Sequence, residues 1–193
     1  MPFKELVLKT RSFRRFEQAT PVALDILREL VDLARQTASG ANIQPLKYVL
    51  CADADTNARI FPLTRWAGYL EDWPGPAEGE RPAAYIVVLG DTGLRQECNT
   101  DLGIAAQTIM LAASEKGLGG CMIASVERDA LRAVLDIPER YKILLVLALG
   151  KPVEKVVLEP VGADGSIRYY RDTSGVHHVP KRSLQEIIVR ELG

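Results

Sequence analysis

The chain has 193 residues, enough for one ordinary domain with a sizeable core and too few for two comfortable ones. Lysine plus arginine number 24 against 25 aspartate plus glutamate, so the balance gives no electrostatic footprint for nucleic acid or an anionic membrane surface. Cys51, Cys98 and Cys121 are odd in number, far apart and without a CxxC pair; they indicate neither a disulfide framework nor a metal site, and a reducing compartment fits them best.

The opening stretch "MPFKELVLKTRSFRRF" alternates charge with apolar residues and never builds the run a secretory signal needs. No later stretch reaches transmembrane length, so a cytoplasmic protein is expected. Thr20 as N-cap and Pro21 at the first helical position predict a helix, with Leu24, Leu27, Leu30, Val31 and Ala34 at helical spacing. A loop, "TASGANIQPLKY", leads from it to a strand over 46–52, and a short helix ends near Phe61. The segment 62–82, rich in Trp, Pro and Gly, predicts irregular cover. Next comes a strand over 83–90, bounded by Pro82 and Asp91. A helix over 100–116 follows, apolar or small around most of its circumference and therefore buried on more than one side. A strand over 121–125, a helix near 127–136 and a continuously apolar strand over 142–150 complete the mixed pattern. The tail offers an edge strand, "IRYYRD", and a short helix starting near Ser183.

"GLGG" at 117–120 invites a dinucleotide reading, but that fingerprint requires strand, glycines, helix, and here the order is helix, glycines, strand. The glycines predict a helix C-cap and a tight entry into the next strand. His177 and His178 lie among turn residues with no ligand at metal spacing and are expected to be exposed and non-catalytic. No GxSxG, HExxH or paired-carboxylate signature appears, so an enzyme built on this chain would rely on a cofactor.

The run "RSFRRF" is a short basic cluster, and such clusters are usually solvated. Arg11, Ser12 and Arg14 nevertheless offer guanidinium forks and a hydroxyl suited to a phosphate and an electron-rich heterocycle. Lys181 and Arg182 precede the terminal helix, where the dipole disfavours cations unless an anion sits between. In the loop, the carboxamides of Asn42 and Gln44 match the acceptor–donor–acceptor edge of a flavin, with Pro45 expected to hold Gln44 extended.

Taken together, these elements resemble the FMN-dependent nitroreductase family, in the family's order and over nearly the full length. "RSFRRF" is similar to its R-S-x-R-x-F element and "ASGANIQP" to its P-S-x-x-N-x-Q-P loop. "DLGIAAQTIMLAASEKGLGGCMI" is similar to its D-x-G-x-A-x-Q…L-A-A…G-L-G-x-C-x-I stretch, "LALGKP" to its L-x-L-G-x-P, and "PKRSLQEIIV" to its basic C-terminal element. The resemblance implies an α+β fold, a central, mainly antiparallel sheet flanked by helices, in an intertwined homodimer. It implies a single FMN-binding domain over 1–193, with 151–193 reaching the partner subunit. It assigns Arg11, Ser12 and Arg14 to the phosphate and pyrimidine ends of FMN, together with Ser39, Asn42 and Gln44 from the loop. The backbone of Ala124 and Ser125 would lie near flavin N5, and Lys181 and Arg182 would reach the phosphate. Thr10 stands where many members have arginine, and Ala38 replaces the loop's usual proline.

The implied activity is ping-pong transfer from NADH or NADPH through FMN to a small organic acceptor such as a nitroaromatic or a quinone. The chemistry would rest on the cofactor, with no catalytic side chain and no metal. A flavin reductase, or a non-catalytic FMN sensor or store, are the alternatives. The aromatic segment with Trp66, Tyr69 and Trp73 is expected to set substrate choice, and the helix over 100–116 is expected to pair with its copy through Ala106 and Ala113.

Overall fold

A computed structural model describes residues 1–193, which divide into two compact units, Met1–Trp66 with Pro74–Val153, and Ala67–Trp73 with Glu154–Gly193. In the first unit the apolar run 83–90 becomes β2 (Ala84–Asp91), buried at every position. A strand with no polar face must be covered on both sides and paired on both edges. It pairs antiparallel with β1 (Leu46–Cys51) and with β4 (Tyr141–Gly150), which in turn pairs antiparallel with β3 (Gly119–Ile123), giving the order β1-β2-β4-β3.

Alternation along β2 divides the core. Ala84, Ile86 and Val88, with Leu147 and Leu149 of β4, pack against Leu27 and Leu30 of α2 (Leu24–Arg35) and Ala105, Ala106, Ile109 and Ala113 of α4 (Asn99–Glu115). The remaining helices of this unit are α1 (Phe3–Lys9), α3 (Ala54–Ile60) and α5 (Arg128–Leu135). The sequence pattern missed α1, which carries Phe3 and Leu8 exposed.

Two expectations change here. The second helix begins at Leu24 with Ala23 as its N-cap, not at Thr20. Residues 17–20 are already committed elsewhere: Glu17 N–H donates to Lys151 O at 2.8 Å, and Gln18 Oε1 accepts from Gly79 N–H at 2.8 Å. Ala106 and Ala113, expected at a seam between copies, are 1% and 0% exposed inside the chain's own core. The open side of α4 instead carries Gly103, Ile104, Gln107, Thr108 and Leu111.

The "GLGG" glycines perform the two jobs expected of them. Gly117 takes φ +78° after α4, and Leu118 N–H returns to Ala113 O at 2.9 Å. Gly119 and Gly120 start β3, and a Cβ on Gly120 would stand 2.5 Å from Ala148 O and 3.0 Å from Met110 Cε.

In the second unit, β5 (Val156–Pro160) runs parallel to β7 (His177–Lys181), which pairs antiparallel with β6 (Tyr170–Arg171). Only the last of these falls in the expected edge strand. Residues 67–73 of the aromatic segment belong to this unit: Tyr69 packs against Tyr169 with centroids 4.9 Å apart and ring planes tilted by 46°, and Arg171 lies 4.6 Å over the Trp73 ring. The histidines are not the exposed turn residues expected. His177 is 1% exposed, and His178 is held between Glu159 at 2.9 Å and Asp172 at 3.2 Å, stacked on Tyr170. The chain ends in the four-residue α6 (Leu184–Ile187), capped by Ser183 in a capping box with Glu186.

Gly120→Ala should lower stability by about 1–3 kcal/mol, because backbone at Ala148 cannot yield as a flexible side chain would. A denaturation midpoint equal to wild type would show that the contact is not tight.

The hydrogen bonds to Glu159 and Asp172 raise the His178 pKa above the ordinary imidazole value. A pKa raised on folding gives stability that is full below the unfolded value of about 6.5 and is lost as pH rises through the folded value. Hydrogen exchange in β7 should therefore quicken with rising pH above that point, beyond intrinsic exchange, and His178→Gln should abolish the excess. An NMR titration midpoint for His178 at or below about 6.5 would contradict this.

Candidate functional site

The loop before β1 has a backbone that ordinary turns do not need. Ala41, Asn42 and Gln44 all have positive φ, at 51°, 54° and 54°. Each non-glycine residue held there costs of order 1–3 kcal/mol unless surrounding structure over-determines it, and such strain concentrates at functional sites.

The restraint is a relay. Gln44 N–H donates to Ser39 Oγ at 2.9 Å, and Ser39 Oγ–H donates to the buried Asp101 Oδ1, which also accepts Gly40 N–H at 3.2 Å. Asp101 lies in the first turn of α4, so the loop is tied to the core helix. The expected extended conformation of Gln44 before Pro45 is therefore overturned: the relay outweighs the local preference. The two carboxamides meet directly, Gln44 Nε2 donating to Asn42 O and Asn42 Oδ1, both at 3.1 Å. Both side chains are exposed, so they remain open to a ligand.

The basic run lies beside β3. Ser12 bridges Gly120 in parallel, Phe13 N–H donates to Gly120 O at 2.8 Å, and a Cβ on Gly119 would collide with the Phe13 ring at 2.5 Å. Arg14 is 9% exposed and donates to Ser12 O at 3.4 Å. Arg11 donates through Nη2 to Val7 O at 2.6 Å, while its Nε is buried without a partner, and burial pushes its pKa down from the usual guanidinium value. An orphaned buried guanidinium donor, next in sequence to a serine, fits an anionic ligand.

After β3, both exposed residues 124 and 125 have their carbonyls engaged. Arg128 Nη2 donates to Ala124 O at 2.9 Å, and Arg65 N–H donates to Ser125 O at 3.0 Å. Arg128 also reaches Ile143 O at 3.2 Å, so one guanidinium fixes this turn to β4.

In the second unit Lys181 ends β7 exposed, and Arg182 Nη1 donates to Glu186 Oε1 at 3.3 Å. The anion that the helix start needed is thus met within the chain by Glu186.

The structure groups Arg11, Ser12 and Arg14 against β3, and Ser39, Asn42 and Gln44 against the start of α4. Gly120, beside Ser12, approaches Met110, whereas the loop is held at Asp101. The two groups are therefore anchored roughly 13 Å apart along the α4 axis. Sequence reasoning missed Asp101 and Arg128 as positioning residues. The signal for Asp101 was a lone acid at the start of a helical stretch otherwise uncharged until its last turn; Arg128 offered none, because its partners are backbone carbonyls.

Solved structures share this fold. A nitroreductase family protein of Streptococcus pneumoniae superposes with a TM-score of 0.71 at 20% identity, over 98% of this chain and all of its own, 100%. A protein of Exiguobacterium sibiricum, solved in complex with FMN, gives 0.65 at 20% identity, over 80% and 90% of the two chains. The NADPH-flavin oxidoreductase of Vibrio harveyi is 25% identical over 173 residues, 81% of this chain and 68% of that protein. The sequence profile of the nitroreductase family matches residues 7–151, and the chain belongs to that family.

Proposed function

We propose that the protein is an FMN oxidoreductase that passes electrons from NADH or NADPH to a small organic acceptor, a nitroaromatic or a quinone. The strained loop 39–44, locked through Ser39 to Asp101, carries the reading, because left-handed backbone at Ala41, Asn42 and Gln44 held in place by a buried relay is the kind of strain that concentrates at ligand sites. Relatives named as flavin and NAD(P)H oxidoreductases support it.

FMN, when bound, supplies the two-electron chemistry. Arg11, Ser12 and Arg14 would hold its anionic and pyrimidine ends, and Asn42 and Gln44 would exchange their mutual hydrogen bond for bonds to its polar edge. The rigid turn at Ala124 and Ser125 would present its backbone, and Lys181 and Arg182 would add positive charge for the phosphate. Arg14 lies where little water reaches, which strengthens its pull on negative charge beside it. Asp101 acts through Ser39, keeping the loop ready before a ligand arrives.

A homodimer is part of the same proposal. The loop and the basic run are anchored at different stations along α4, and the open side of that helix is lined by Ile104 and Leu111 around Gln107. Pairing with a second copy would cover this face and let the groups of two chains converge.

Asn42→Ala should lower stability by only about 1 kcal/mol, the cost of giving alanine the left-handed backbone that asparagine tolerates better. It should nevertheless raise the FMN dissociation constant at least about tenfold, a loss of roughly 1.4 kcal/mol. Asp101→Ala should lose both, destabilising by about 1–3 kcal/mol as Ser39 and Gly40 are stranded. Flavin fluorescence titration checks both variants, and wild-type affinity in each would refute the assignment. Bleaching of the purified protein by NADH or NADPH, then recovery with a quinone, tests turnover; a yellow protein that neither nucleotide bleaches is a binding protein instead.

Leu111→Glu should reduce the mass in light scattering to that of one chain and release FMN, since Leu111 is only half-buried within a single chain. A monomeric wild type holding stoichiometric FMN would exclude the dimer.

A further inference from the structure

A cavity of about 250 Å³ opens between the segment before α2, helix α3 and the start of β2, and none of the residues assigned to FMN lines it. Ala19, Pro21, Ala58 and Pro82 give it short apolar walls, and no aspartate or glutamate faces it. Its one cationic lining residue is Arg81, which lies 4.4 Å over the Phe61 ring, makes no ion pair, and keeps Nε buried without a partner.

Two further lining residues carry unmatched polarity. Asn57 is 7% exposed and Tyr85 0%, and Asn57 Oδ1 and the Tyr85 hydroxyl both lack partners. The Asn57 amide orientation is settled by its other end, since Nδ2 donates to Ala83 O at 2.7 Å and Oδ1 must therefore be the spare acceptor. Burial pushes the Tyr85 phenol up, so it stays a neutral donor. Buried polar groups without partners are few in folded proteins, and each costs about 1–3 kcal/mol. Here three of them belong to side chains that line one cavity, each atom lying just beneath its wall, two asking for an acceptor and one for a donor.

We propose that this cavity binds a small carboxylate that carries a hydroxyl or amino group on a short apolar body. With small side-chain rotations that open these atoms to the cavity, the carboxylate meets Arg81 and the Tyr85 hydroxyl, the ligand's own donor meets Asn57 Oδ1, and its apolar body lies among the alanines and prolines. A phosphate dianion is disfavoured, because the lining supplies a single cation.

Isothermal titration and amide NMR on the full chain, with whatever cofactor it carries, test the proposal using 4-hydroxybenzoate, benzoate and the uncharged 4-hydroxybenzamide. The expected result is saturable binding of 4-hydroxybenzoate, one per chain, with shifts at Ala52, Ala58 and Ala83 and no change in flavin absorbance. Benzoate should bind several-fold more weakly and 4-hydroxybenzamide at least tenfold more weakly. Tyr85→Phe and Arg81→Gln should each weaken 4-hydroxybenzoate several-fold while FMN content stays at the wild-type level. No saturable binding, equal affinity for the uncharged amide, or shifts confined to 39–44 and 124–125 would each overturn the site and leave water as the partner of these groups. Should Arg81→Gln not fold, the wild-type shift map and the comparison of charged with uncharged probe still decide it.

Discussion

Asp101 is the point at which the core and the candidate site meet. Its carboxylate is buried in the first turn of α4, and the same helix places Ala105, Ala106 and Ile109 in the central hydrophobic layer. A charge taken out of water in that position needs donors, and the donors available are Ser39 Oγ–H and Gly40 N–H of the loop. Satisfying Asp101 therefore fixes the loop, and a loop fixed at Ser39 draws Gln44 N–H after it. The strain at Ala41, Asn42 and Gln44 persists because releasing it would strand a buried carboxylate.

The other half of the candidate site depends on absent side chains. Gly119 and Gly120 let the Phe13 ring and the backbone of residues 12–13 come against the edge of β3, and Gly150 does the same for Phe16, whose ring would stand 3.0 Å from a Cβ there. Close approach at these places sets where Arg14 is buried, and burial is what gives its charge reach. The glycines thus serve packing and electrostatics together.

The C-terminal unit works by different means. Its strands are short and carry little apolar surface, so rings and charges replace a core: Tyr69 on Tyr169, Arg168 at 4.9 Å over Tyr69, Arg171 over Trp73, and His178 between two carboxylates. Contacts of this kind are individually modest and sensitive to salt and pH. That is a suitable construction for a segment whose exposed end carries Lys181 and Arg182.

The sequence by itself determined the layered α+β order, the central strand from "AAYIVVLG", the long buried helix and the family, because period and apolar content are local properties of the chain. It also marked the residues of the loop, since two carboxamides before a proline are unusual in a plain turn. Tertiary structure alone decided the conformation of that loop: Gln44 turned left-handed against its local preference once Ser39 and Asp101, 62 residues apart, had met. It alone decided which face of α4 stayed open, since Ala106 and Leu111 look equally fit for a seam until the sheet takes one of them. Arg128 holding Ala124, Glu186 answering Arg182, and His178 between Glu159 and Asp172 became visible only in the fold. Hydrogen bonds are short and directional, so even pairs close in sequence form only where the folded backbone aims donor at acceptor.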